Sequence, residues 1–195
     1  MTSERKIIVF IATSADGYIA RPDGDVRWLD RPRTAGNYGM GAFFRSIDTI
    51  LWGRKTYDKA LEFGKGDGGF GRNVRNYVFT HRRAASPPPG TEFINEPIST
   101  FAKRLRATPG KDIWMMGGGG IIASFLDEGE IDEFIIHVIP TFIGEGIPLI
   151  APRHRLVPLR LVSSRRYVDG VVRLHYAVGR QTRRRPGRGK GVRRR

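Results

Sequence analysis

The sequence predicts an α/β protein: a mostly parallel central sheet, helices on both of its faces, and an antiparallel hairpin at the C-terminal end. Three observations predict this. Short apolar runs rich in β-branched residues alternate with segments of helical spacing as far as Gly129, the order a parallel sheet requires. Four glycines in a row, Gly117 to Gly120, close one such run and open a helical segment. The stretch "RRYV-DG-VVRLHYAV" reads as two strands joined by an Asp-Gly turn.

The elements follow in order. "KIIVFIAT" (Lys6 to Thr13) is a buried strand, and "SADGYIARPDGDVRWL" after it has the Asp-Gly and Pro punctuation of a loop. "GMGAFFRSI" has helical spacing, "DTILWG" is a second strand, and "RKTYDKALEF" is a helix beginning just after Gly53. "GKGDGGFGRN" is too glycine-rich to be regular. "RNYVFTH" is a third strand and "SPPPGTEF" an extended linker. "ISTFAKRLRA" is a helix with Ser99 or Thr100 as a cap, "KDIWMM" a fourth strand, and "IIASFLDEG" a helix ending at Gly129. "EFIIHVIP" reads as a strand buried on both faces, ahead of the hairpin.

A chain of 195 residues suits one domain, here residues 1–179, followed by a disordered basic tail, 180–195. The net charge is +15, and nine of the positive charges lie in "RQTRRRPGRGKGVRRR" (Arg180 to Arg195), which leaves +6 for the rest. That tail has too little apolar content to offset its ordering entropy. It reads as a dispensable charged extension or as a segment that adheres weakly to nucleic acid without sequence specificity. There is no cysteine, so disulfide and thiolate chemistry are excluded. No apolar run approaches the roughly 18–20 residues of a membrane helix, and no secretory leader is visible, so a cytoplasmic protein without membrane contact is expected. His81, His137, His154 and His175 show no metal-ligand spacing, and no metal is expected.

Ligands of open α/β sheets sit beyond the C-terminal ends of the strands. Three such ends favour anions. Gly53 leads straight into a helix whose first residues are Arg54, Lys55 and Thr56, and a helix N-terminus with added cations binds phosphate. Read alone, it is equally a surface helix with ordinary basic residues. Thr80, Arg82 and Arg83 end the third strand and suit a phosphate monoester, or form a solvated basic loop. The glycine run ends the fourth, where bare backbone serves either a ligand's close approach or a tight turn under a helix. It matches neither the dinucleotide fingerprint G-x-G-x-x-G nor a phosphate-binding loop ending in Gly-Lys-Ser/Thr. Together the three suggest a ligand with several phosphates, such as a dinucleotide.

The ordered set "ATSADGYIA", "GRKTYD", "VFTHRR", "MGGGGIIASFL" and "EIDEFIIHVIPTFIGEGIPLI" resembles the dihydrofolate reductase fold family. It resembles more closely the branch containing the reductase (RibD C-terminal) domain of bacterial riboflavin biosynthesis and its stand-alone relatives. The resemblance runs from about Lys6 to Val178. It implies a three-layer α/β/α fold, NADPH as cofactor, a homodimer to which Glu130 to Pro148 contributes, and a cis peptide between Gly117 and Gly118. It places Ala12, Gly17 and Ile19 about the nicotinamide, with the loop from Asp16 to Ala20 closing over it. Gly53, Arg54, Lys55, Thr56 and Gly117, Gly118, Gly119, Gly120, Ile121 fall along the pyrophosphate. Thr80, His81 and Arg82 fall at the adenosine 2′-phosphate.

Asp16 is the candidate catalytic residue, orienting substrate or donating a proton, unless it is only a turn residue. Trp28, Phe44 and Tyr57 are candidates for the substrate pocket, or are structural aromatics. Two positions depart from the family pattern. "TAGNYGMGAFFRS" has no acid to hold a pterin, and Met116 stands where riboflavin-pathway reductases often carry Glu. The expected activity is NADPH-dependent reduction of a small heterocycle, pteridine- or pyrimidine-like, similar to 5-amino-6-(5-phosphoribosylamino)uracil reduction. The alternatives are dihydrofolate reductase activity, or a catalytically degenerate nucleotide-binding protein whose basic tail adheres to nucleic acid.

Overall fold

The computed structural model describes residues 4–31, 37–64, 74–81 and 87–179. The tail Arg180 to Arg195 and the site candidate Arg82 lie outside them. The strands are β1 (Ile7–Ser14), β2 (Tyr18–Ala20), β3 (Ile47–Gly53), β4 (Arg75–Phe79), β5 (Thr91–Ile94), β6 (Asp112–Gly117), β7 (Glu133–Ile139), β8 (Ile147–Pro148), β9 (Leu159–Arg166) and β10 (Val172–Val178). The helices are α1 (Met40–Ser46), α2 (Arg54–Phe63), α3 (Ile98–Arg106) and α4 (Gly119–Asp127).

Eight strands form one sheet in the order β5-β4-β3-β6-β1-β7-β10-β9, and β2 pairs with β8 separately. From β5 to β7 all pairs are parallel; β10 runs antiparallel to β7 and to β9. Alternate side chains of β1 enter opposite cores, as a strand covered on both faces must place them. Ile7 and Val9 pack with Phe101 and Leu105 of α3 and Phe125 of α4. Ile8 and Phe10 pack with Phe43 of α1, Tyr57 of α2, Trp52 and Trp114. The three-layer architecture is thus present, with α3 and α4 on one face and α1 and α2 on the other.

Three strands were expected as loop. β5, read as part of a proline-rich linker, is the sheet edge; it needs only one ladder, which β4 provides. β2 and β8 are three and two residues long, and only their pairing with each other defines them. Helix α4 begins at Gly119, two residues before the expected start, because the turn out of β6 is finished by Gly117 and Gly118. The expected subunit segment Glu130 to Pro148 is largely committed inside the molecule: β7 is held between β1 and β10. Phe142, 78% exposed, is what remains of it at the surface.

Candidate active site

Because β1, β3, β4 and β6 are parallel, their C-terminal ends share one edge of the sheet, and the glycine run lies at its centre. The Gly117–Gly118 peptide is cis, as the family pattern implies, and Gly117 has φ +114°, a conformation that favours glycine. A Cβ on Gly118 would stand 2.9 Å from Thr56 Oγ1 and 3.8 Å from Ile19 Cδ1. One on Gly119 would stand 2.3 Å from the Pro148 carbonyl oxygen, and one on Gly53 3.2 Å from Ile121 Cγ2. On Gly120 it would meet nothing within 4 Å. Helices α2 and α4 both start here, on Gly53 and Gly118, and neither start is capped by a side-chain hydrogen bond. Two helix N-termini with free N–H groups and positive dipole ends therefore adjoin.

A cleft of about 400 Å³ opens beside them. Gly53, Thr80, His81 and Ile121 line it, and so do Asn95 and Glu96, which the sequence gave no reason to select. Asn95 Oδ1 lies 3.2 Å from His81 Nδ1, and Glu96 pairs with Arg104. These two were invisible because β5, which delivers them, was itself unrecognised.

Two segments tie the site together. The Asp16 carboxylate accepts hydrogen bonds from the Ser14 hydroxyl and from the N–H groups of Ile143 and Gly144. The Ser14 hydroxyl foremost, then those amides, hold its carboxyl below the ordinary aspartate value. An ionised, acceptor-saturated carboxylate does not suit the proton-donor role, and the geometry makes Asp16 the clip that holds the loop after β7. The segment after β8 is the second tie: Leu149 N donates to Gly17 O at 3.1 Å and Ala151 N to Gly119 O at 3.1 Å. The loop expected from Asp16 to Ala20 is accordingly no free flap, since Tyr18–Ala20 is a strand secured to β8.

Other candidates lie elsewhere. Tyr57 is only 4% exposed and packs edge-on to Trp52 and Phe93 in the core of the α1/α2 face, away from a substrate. Phe44 is set edge-on to Trp114 in that same core. Arg54 turns back to Asp58 at 2.7 Å and lies over the Phe93 ring, so its charge is partnered within its own helix. Lys55 is exposed in the first turn of α2. Trp28 sits half-buried in a 3-10 turn, Arg27–Leu29. Ala12 is half-buried near the end of β1, in register with His137 of β7, which is in turn in register with Arg173 of β10. His137 and Arg173 gave no sequence signal beyond their strands; tertiary pairing alone puts them beside Ala12.

Residues 5–173 match the family model of the RibD C-terminal domain. The chain belongs to the RibD C-terminal domain family. It is 38% identical to the uncharacterized protein YwjB of Bacillus subtilis (strain 168), covering 89% of this chain and 98% of that protein. It is 31% identical to YyaP of the same organism, covering 89% and 95%. Among solved structures, it is similar to a putative riboflavin biosynthesis protein from Shewanella sp. PV-4. That match has 28% identity and a TM-score of 0.78, covering 90% of this chain and 99% of that one. A Thermotoga maritima diaminohydroxyphosphoribosylaminopyrimidine deaminase/5-amino-6-(5-phosphoribosylamino)uracil reductase shares the fold at 18% identity and a TM-score of 0.68. There this chain's 90% spans 57% of the longer protein. For a RibD C-terminal domain, the glycine run at the sheet centre is the feature on which the site's geometry turns.

Proposed function

We propose that this protein is an NADPH-dependent reductase of a small heterocyclic substrate of the pteridine or pyrimidine kind. The observation that carries the reading is the meeting of two uncapped helix starts, α2 and α4, at the Gly117–Gly118 turn, with Thr56 and Ile19 beside it and the cleft alongside. Backbone N–H groups there suit a pyrophosphate. Membership of a reductase family, and a fold shared with the Thermotoga uracil reductase, support the chemistry.

NADPH when bound supplies the hydride. The chain's part is to bind and orient. Gly53 and Gly117 to Ile121 hold the phosphates, Ala12, Gly17 and Ile19 bound the nicotinamide, and Asp16 keeps the neighbouring loop in place. Thr80 and His81 hold the adenosine end. The described lining of the cleft includes the carboxylate of Glu96 and no lysine or arginine, so the choice of NADPH over NADH rests on Arg82. Helix α1, "MGAFFRS", carries no acid, which sets dihydrofolate behind other heterocycles as substrate.

Titrating NADPH and NADH into the protein, followed by tryptophan fluorescence, tests the reading. The expected result is saturable binding with a preference for NADPH of about tenfold or more, the scale of a charge-assisted phosphate contact. Equal affinities would remove the 2′-phosphate assignment, and no binding of either would sink the cofactor site.

Asp16→Asn separates positioning from proton donation. Amide hydrogen exchange at Ile143 and Gly144 is expected to speed up, while the pH profile of turnover keeps its shape. Loss of one limb of that profile would restore the proton-donor role. The sign of the pH dependence follows from the lowered value. The clip is fully formed above the unfolded value of 3.8 and is lost as pH falls through the lower folded one.

A further inference from the structure

We propose that Arg31 and Arg173 form a receptor for an oxyanion, a phosphate monoester or carboxylate, carried by the substrate. The inference rests on the reading above in one respect, that Ala12 marks the nicotinamide end of the site.

Three buried nitrogen donors lack a hydrogen-bond partner among the described residues: Arg31 Nη1, Arg173 Nε and Trp28 Nε1. Buried polar groups are almost always satisfied, and a guanidinium N–H left without an acceptor is costly. Two of the three orphans belong to one cluster. Arg31 Nη2 donates to the Asp169 carbonyl at 2.9 Å. The Asp169 carboxylate accepts the Tyr38 hydroxyl and the Val171 N–H rather than forming a salt bridge with either arginine. A Cβ on Gly39 would lie 3.7 Å from Arg173 Nη1, so Arg173 runs directly beside the Tyr38–Gly39 turn. Trp28 stands three residues before Arg31 on the same segment.

The turn is held firmly. Tyr38 has φ +55°, unusual for a residue with a side chain, and such backbone persists only where neighbours over-determine it. Here they do. His137 Nε2 and the Tyr167 hydroxyl both donate to the Tyr38 carbonyl at 3.1 Å, while its own hydroxyl is taken by Asp169. His137, 4% exposed, is kept neutral at ordinary pH by burial first, with the Arg173 charge acting the same way. The two arginines therefore face one carboxylate, already engaged, and a neutral imidazole. The balance is cationic, with donors to spare.

Location connects this cluster to the chemistry. Ala12, His137 and Arg173 are register partners on three adjacent strands, so their side chains share the sheet face that α1 covers. Strands lie about 4.8 Å apart, which sets Arg173 roughly 10 Å from Ala12. That is the span of a small heterocycle bearing an anionic substituent. A guanidinium fork matches either oxyanion in bidentate fashion.

The test is NMR of the full-length, ¹⁵N-labelled protein, reading the arginine Nε–H and tryptophan Nε1–H signals during titration with inorganic phosphate and, separately, acetate. Saturable shifts of the Arg173 signal are expected with at least one anion. Response to phosphate alone identifies a phosphate monoester, and response to acetate alone a carboxylate. Arg31→Gln should weaken the response about tenfold or more, as expected for the loss of a charged hydrogen bond. Arg173→Met, followed through Trp28, should do the same. Both variants should bind NADPH as the unaltered protein does, which also shows that they are folded. No shift with either anion, or an unchanged midpoint in Arg31→Gln, overturns the proposal. Failure of the unaltered protein to bind NADPH counts against the cofactor site instead, and the anion response reads independently of it.

Discussion

Replacing Gly119 with alanine is expected to destabilise the fold by about 3 kcal/mol, toward the upper end of what overpacking costs. The new Cβ would stand 2.3 Å from the Pro148 carbonyl oxygen and 3.4 Å from that of Leu149. Both obstacles are backbone, so no side chain can swing aside. The segment they belong to is anchored at Leu149 N to Gly17 O and at Ala151 N to Gly119 O. Displacing it pulls on the β1–β2 turn and on the start of α4 together, so NADPH affinity should fall with stability. Gly120→Ala is the contrast. Nothing in the protein lies within 4 Å of its would-be Cβ, and it occupies the first turn of α4, where alanine is the better helix former. Stability should be unchanged or slightly higher. If the cofactor's phosphates lie against this backbone, the added methyl should weaken NADPH binding by roughly tenfold, about 1.4 kcal/mol. Urea denaturation and NADPH titration of the two variants check both statements. A Gly120→Ala protein with full affinity would show that the glycine run serves packing alone.

Arg5→Leu is expected to cost about 3 kcal/mol, the scale for removing one partner of a buried ion pair. Arg5 is 4% exposed and pairs with Asp48, and its guanidinium also donates to Lys111 O at 2.6 Å, Thr49 Oγ1 at 2.8 Å and Thr108 Oγ1 at 3.1 Å. One side chain thus joins the chain entering β1, the start of β3, the end of α3 and the approach to β6. Leucine would fill part of the space and leave several acceptors without a donor. The check is the urea midpoint at constant slope; a loss under 1 kcal/mol would mean that water satisfies those acceptors.

The large elements were legible because each is specified locally. Runs such as "KIIVFIAT" and "DTILWG" can only be buried strands, and the helix from Arg54 to Phe63 begins and ends where the sequence places it. Sites attached to the ends of those elements were legible for the same reason. Gly53, Thr80 and Gly117 are strand ends in sequence, and they share one edge of a parallel sheet in space. Tyr57 misled because an aromatic in a helix after a glycine reads alike whether it faces a ligand or a core. Its burial against Trp52 and Phe93 depends on α2 lying over β3 and β4.

The sequence by itself determined the α/β class, the order of the major strands and helices, the hairpin about Asp169-Gly170 and the glycine-centred sheet edge. All of these follow from hydrophobic period and backbone freedom, which are properties of short stretches. Only the tertiary structure decided what each glycine is for. Gly119 makes room for Pro148, Gly118 for Thr56, and Gly120 for nothing within the protein. Likewise, only the pairing of β1 with β7 and of β7 with β10 aligns Ala12, His137 and Arg173, which are far apart in sequence. The physical reason is that close approach and charge balance depend on distances between distant segments, and those distances exist only once the sheet has closed its ladders.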